Sequence, residues 1–192
     1  KWIDYTDQEK NYGVSLLSEC KYGFDVKDDL IRMTLLSSPD YPDPSMMGLP
    51  ELSTLLEDQG KHTFSYALYP HKGTWKEAGS IRKGYEFSCP LLVLSEPSHK
   101  GNLPKSFPFI KVQPEDVILE TIKKAEDSES FILRFYETIG QRTQTEILFS
   151  EPVLQVWETD MMERKILKLP IQGKLLRVEL GACEIKTIQI RK

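Results

Sequence analysis

The strongest constraint on this chain is a side-chain alternation of period two, repeated in short stretches along most of its length. Ile31, Met33 and Leu35 alternate with Arg32 and Thr34, and Phe64, Tyr66 and Leu68 alternate with Ser65 and Ala67. Phe131, Leu133 and Phe135 alternate with Ile132, Arg134 and Tyr136. Similar stretches cover Thr143 to Phe149, Val153 to Trp157, Leu175 to Leu180 and Glu184 to Ile190. Successive side chains on a strand point to opposite faces, so each stretch can turn one face to a core. About twelve short strands separated by turn residues predict an all-β fold built of β-sandwich material. Long crossover segments are scarce, which argues against a parallel βαβ sheet.

Helix signals are few. One short helix is expected near 74–85: Thr74 and Glu77 have capping-box spacing, with Trp75, Ala78, Ile81 or Arg82, and Tyr85 along one side. A second is expected over Leu49 to Glu57, in a stretch framed by Pro39, Pro42, Pro44 and Pro50 that reads as a surface excursion. The segment Ser95 to Ser106, rich in Pro, Ser, Gly and charge, is the best linker. It divides the chain into a first piece, 1–97, and a second, 107–192.

Charge narrows the partners. Net charge is −4, with basic and acidic residues interleaved, whereas a duplex or an anionic membrane demands a concentrated basic face. No nucleic-acid or membrane partner is expected, and no apolar run approaches the ~20 residues of a membrane span. Cys20, Cys89 and Cys183 are far apart, which fits a reducing cytoplasm better than a disulfide framework. The first residue is Lys1, not Met, and the chain is expected to be a piece of something longer.

A search for chemistry finds little. His62, His71 and His99 are the only histidines, and none has a metal-ligand spacing, so no metal site is expected in this chain. There is no Gly-x-Ser-x-Gly elbow, no cysteine beside a histidine and no phosphate loop. The carboxylate pairs Asp28-Asp29, Glu57-Asp58 and Glu126-Asp127 read as solvated loop charge. Two strand ends stand out: Gly13 to Gly23, closing in a charged and aromatic turn, and Phe64 to Gly73, closing in Pro70-His71-Lys72-Gly73. Loops after strands commonly carry function on a β scaffold, and the alternative for both is plain turn chemistry.

Those two segments carry a resemblance. Leu17-Ser18-Glu19-Cys20-Lys21-Tyr22-Gly23-Phe24-Asp25 resembles a stretch of the cytosolic-type α-mannosidases of glycoside hydrolase family 38. Leu30 to Pro44, His62 to Gly79, Val117 to Asp127 and Glu184 to Thr187 resemble further family stretches in the same order. Two departures stand out. Glu19 replaces the family's usual Asp, and Ser45 to Glu57 looks like an insertion in a loop the family keeps short.

The resemblance implies that 1–97 is the end of a large mutarotase-like central β-sandwich and 107–192 the small terminal β-sandwich. The family implies a retaining exo-α-mannosidase, with paired carboxyls about 5 Å apart and a zinc or cobalt ion in an N-terminal catalytic domain. In that frame this chain is non-catalytic and inactive alone. It needs no cofactor of its own, its partners are the catalytic domain and a mannose-containing oligosaccharide, and it works in the cytoplasm. Uncovered strand edges in the first piece make self-association an expected response. The candidate sugar-binding residues are Glu19, Lys21, Tyr22 and His71, with Lys21 as hydroxyl donor beside the apolar ring of Tyr22. The rival reading is a stand-alone carbohydrate- or protein-binding β-sandwich.

Overall fold

A computed structural model describes residues 1–37 and 60–191. The helix expected over Leu49 to Glu57 and the inserted segment Ser45 to Glu57 lie outside the described residues. Two compact units divide the chain, Lys1–Leu94 and Ser95–Lys192.

In the first unit, β1 (Trp2–Asp7) and β2 (Tyr12–Ser18) lead into a separate hairpin of β3 (Phe24–Lys27) and β4 (Leu30–Met33), followed by β5 (Tyr66–Lys72). The main sheet has the order β1-β2-β5, both pairs antiparallel, with Asp4 opposite Ser15 and Gly13 opposite His71. Period-two alternation therefore gathers Trp2, Asp4, Gly13, Ser15, Tyr69 and His71 on one face. That face is covered by the single described helix, α1 (Ser80–Ser88), which packs on β1 and β2. Among the described residues, the opposite face is apolar and only partly covered. Leu16 is buried there, but its register partner Leu68 is 65% exposed and Tyr66 is 58% exposed. A groove of about 290 Å³ lies between Leu16, Tyr66 and Leu68 and the side chains of Ile31, Met33 and Leu35.

The helix falls later than its sequence signal. The capping box forms: the Thr74 N–H donates to Glu77 Oε2 at 2.8 Å, and the Glu77 N–H donates to Thr74 Oγ1 at 3.4 Å. What it caps is a single turn, closed by the Ala78 N–H on the Thr74 carbonyl at 3.0 Å. Gly79 then adopts φ 64°, a left-handed conformation that ends the turn, and α1 starts at Ser80. Six residues of the expected span 74–85 are thus helix, and the rest is the turn before it.

The second unit is a sandwich of two antiparallel sheets. Its strands are β6 (Ile110–Gln113), β7 (Val117–Lys124), β8 (Phe131–Glu137), β9 (Thr143–Phe149), β10 (Gln155–Thr159), β11 (Lys165–Leu169), β12 (Ile171–Gln172), β13 (Leu175–Leu180) and β14 (Ile185–Arg191). One sheet runs β11-β10-β14-β8-β7 and the other β12-β13-β9-β6. Leu133 and Phe135 of β8, Ile188 and Ile190 of β14, Ile147 and Phe149 of β9, and Leu176 and Val178 of β13 meet in the core between them. Each such buried side chain stabilises by about 1.5–3 kcal/mol relative to exposure.

One carboxyl interrupts that interior. Glu137 is 2% exposed, at the end of β8. Its carboxylate accepts the N–H groups of Ile139, Gly140 and Cys183, each at 2.8 Å, and of Gln141 at 3.2 Å. Burial pushes its acidity toward the neutral form, but these four donors outweigh burial and hold the carboxyl below the usual glutamate range. The same carboxylate ties the turn after β8 to Cys183, in the turn before β14.

Candidate functional site

The turn after β2 is built from its own backbone. Ser18 ends the strand, buried, and its Oγ accepts the Lys21 N–H at 2.9 Å. The Glu19 N–H reaches the Ser65 carbonyl at 3.3 Å, tying the turn to the entry of β5. Glu19 and Tyr22 are exposed, Tyr22 by 64%. Lys21 is half-buried, and its ammonium stands 5.6 Å from the centre of the Phe64 ring, a cation–π contact. The turn thus offers an aromatic face, a carboxylate and a lysine donor within four residues.

His71 does not join that turn. It closes β5 beneath α1, with its side chain 3% exposed. Its Nε2 lies 2.6 Å from Asp4 Oδ2, and Asp4 is 5% exposed. Ser15 Oγ lies 2.7 Å from the same Asp4 oxygen, 2.7 Å from Ser80 Oγ and 3.3 Å from His71 Nε2. Thr6 Oγ1 donates to the other Asp4 oxygen at 2.6 Å. A serine hydroxyl has one proton to give, so when Ser15 donates to Asp4, Ser80 donates to Ser15. The network therefore pins the helix to the sheet. Gly13 makes room for it, because a Cβ there would lie 2.5 Å from both His71 Cε1 and Thr6 Oγ1.

Aspartate, histidine and serine together invite comparison with a nucleophilic triad, and the geometry rejects it. A working triad holds the carboxylate on one imidazole nitrogen and the hydroxyl on the other. Here both crowd Nε2, Nδ1 is buried without a partner, and Ser15 is fully buried. Among the described residues no three His, Cys, Asp or Glu side chains gather as a metal-ligand group.

Sequence reasoning located the turn of Glu19, Lys21 and Tyr22. It missed Asp4, Ser15 and Ser80. The only available signal was three polar residues, Asp4, Thr6 and Ser15, at strand positions where apolar ones would face a core.

Two family models match the chain in order. Residues 1–45 match the glycosyl hydrolases family 38 C-terminal domain, and residues 116–188 match the family 38 C-terminal beta sandwich domain. Alpha-mannosidase 2C1 of Homo sapiens is 35% identical over 167 residues, covering 85% of this chain and 15% of that protein. Alpha-mannosidase 2C1 of Mus musculus is 32% identical over 194 residues, 98% of this chain and 17% of that protein. Alpha-mannosidase G of Dictyostelium discoideum is 35% identical over 146 residues, 74% of this chain and 12% of that protein. The chain thus spans about a sixth of the length of the curated relatives it matches. With both halves matched to consecutive C-terminal models, the chain belongs to glycosyl hydrolase family 38, as its C-terminal β region.

Proposed function

We propose that this chain is the non-catalytic β portion of a retaining exo-α-mannosidase of the cytosolic type, acting on mannose-containing oligosaccharides in the cytoplasm. The observation that carries this reading is the open apolar face around Leu16, Tyr66 and Leu68. Among the described residues, a three-stranded sheet with one face under a helix and the other only partly covered suits the trailing part of a larger sheet. The catalytic domain is its partner. In this reading that domain supplies the carboxyl pair and holds the zinc or cobalt ion.

In this role the turn of Glu19, Lys21 and Tyr22 closes one side of the sugar site, while His71 keeps β5 and α1 rigid beneath it. The Lys21 ammonium offers donors to sugar hydroxyls and Tyr22 gives an apolar surface for the ring. In the full-length enzyme, Lys21→Ala is expected to lower kcat/KM on a small α-mannoside about tenfold or more, the loss expected of one charged hydrogen bond. Unchanged kinetics in a folded enzyme would make the turn structural and remove it from the sugar site.

The 192-residue chain by itself is expected to turn over no aryl α-mannoside. Turnover by the purified chain that disappears with a chelator would overturn the non-catalytic assignment. Self-association through the open face is expected at high concentration, and sedimentation as a strict monomer would count against that face as a docking surface.

A further inference from the structure

The outer face of the larger sheet in the second unit carries a groove of about 650 Å³. Its floor is Trp157 of β10 and Gln189 of β14, which are register partners. Val156, Ile188 and Ile190 alternate with them into the core, so these two point the other way. The loop between β7 and β8 forms one wall, where Ser128 Oγ accepts a hydrogen bond from Gln189 Nε2 at 3.1 Å.

Three observations single the groove out. Gln189 is 8% exposed and its Oε1 has no partner, and the Trp157 Nε1 beside it is a buried donor without one. An unmatched donor and an unmatched acceptor on adjacent strands suit a hydroxyl, which donates and accepts at once. Charge is balanced across the walls, with Asp127 and Glu129 against Lys165 and Arg191, so the groove favours no ionic ligand of either sign. The Lys165 ammonium stands 5.2 Å from the centre of the Trp157 ring, on a side chain that is itself exposed and can move aside.

We infer that this groove is a binding site for a neutral saccharide, with the Trp157 ring against the apolar face of a sugar and Gln155 and Gln189 toward its hydroxyls. A volume of this size fits a small ligand, and an aromatic surface ringed by planar polar side chains matches a sugar's alternation of C–H and hydroxyl faces. That the saccharide is mannose-containing rests on the function proposed above. The groove would then hold a branch of the oligosaccharide away from the reacting bond.

The test follows the three indole N–H resonances of the full chain by nuclear magnetic resonance, with Trp157→Phe identifying the one from the groove. Titration with α-mannotriose is expected to shift the Trp157 resonance at millimolar concentrations. Gln155→Ala, which leaves the core untouched, is expected to weaken binding about tenfold. Inorganic phosphate should move nothing. A Trp157 resonance unmoved by any saccharide, moved by phosphate alone, or shifted equally in the Gln155→Ala chain would overturn the site. A shift with maltotriose alone would support the site and separate it from the mannosidase reading.

Discussion

Replacing Glu137 with alanine is expected to destabilise the second unit by about 3–5 kcal/mol. Four N–H groups end on this one carboxylate. A hydrogen bond to a charged group contributes about 1.5–3 kcal/mol, and a buried donor left without a partner costs about 1–3 kcal/mol. The four share one acceptor and one pair of turns, so their losses do not simply add. The effect should appear as faster hydrogen exchange in peptides from β8 and β14, with the first unit unchanged. Titration gives a second signature. The folded carboxyl lies below its unfolded value, so its stabilisation is fully present above about pH 4.3, the ordinary glutamate value. It is lost as pH falls through the lower folded value. In Glu137→Gln that part of the acid dependence should vanish while the shape of the turn is kept. An acid unfolding profile identical in Glu137→Gln and the parent chain would show that the carboxylate contributes nothing through its charge.

Asp4→Ala is expected to cost the first unit roughly 3 kcal/mol, because one deletion strips the acceptor from His71, Ser15 and Thr6 together. Asp4→Asn keeps the volume and one acceptor oxygen, so it should cost less than half as much. The readout is exchange in peptides covering β1, β2 and the start of α1. Because Ser80 hangs on the same network through Ser15, the helix should loosen along with the sheet. If Asp4→Ala leaves α1 as protected as before, the network does not pin the helix, and contacts such as that of Trp2 against Gly84 hold it instead.

The sandwich was legible in the sequence wherever one face of a strand is buried and the other wet. Thr143–Phe149 and Leu175–Leu180 have the bounds that alternation predicts, because Thr145, Ile147, Phe149, Leu176, Val178 and Leu180 all turn inward. Phe64 belongs to the alternating run of β5 but stands before the strand, where it serves as a platform for Lys21. The helix starts later than expected because capping-box spacing marks hydrogen bonds but not how many turns follow them. The left-handed Gly79 decides that, and a glycine five residues after Thr74 is invisible to the box. The exposed turn of Glu19, Lys21 and Tyr22 could be found because it is local. The cluster at His71 could not, because Asp4, Ser15, His71 and Ser80 come from four elements separated by up to 76 positions in the chain. Only strand register and the docking of α1 bring them within hydrogen-bond distance.

The open face of the first unit bears on how the cell would treat this polypeptide. A newly made chain presents Tyr66 and Leu68 to solvent until something covers them, and such surface is what chaperones and degradative proteases recognise. A substitution that loosens the cover over Leu16, Tyr66 and Leu68 would therefore lower the amount of protein in the cell before it changed any rate constant.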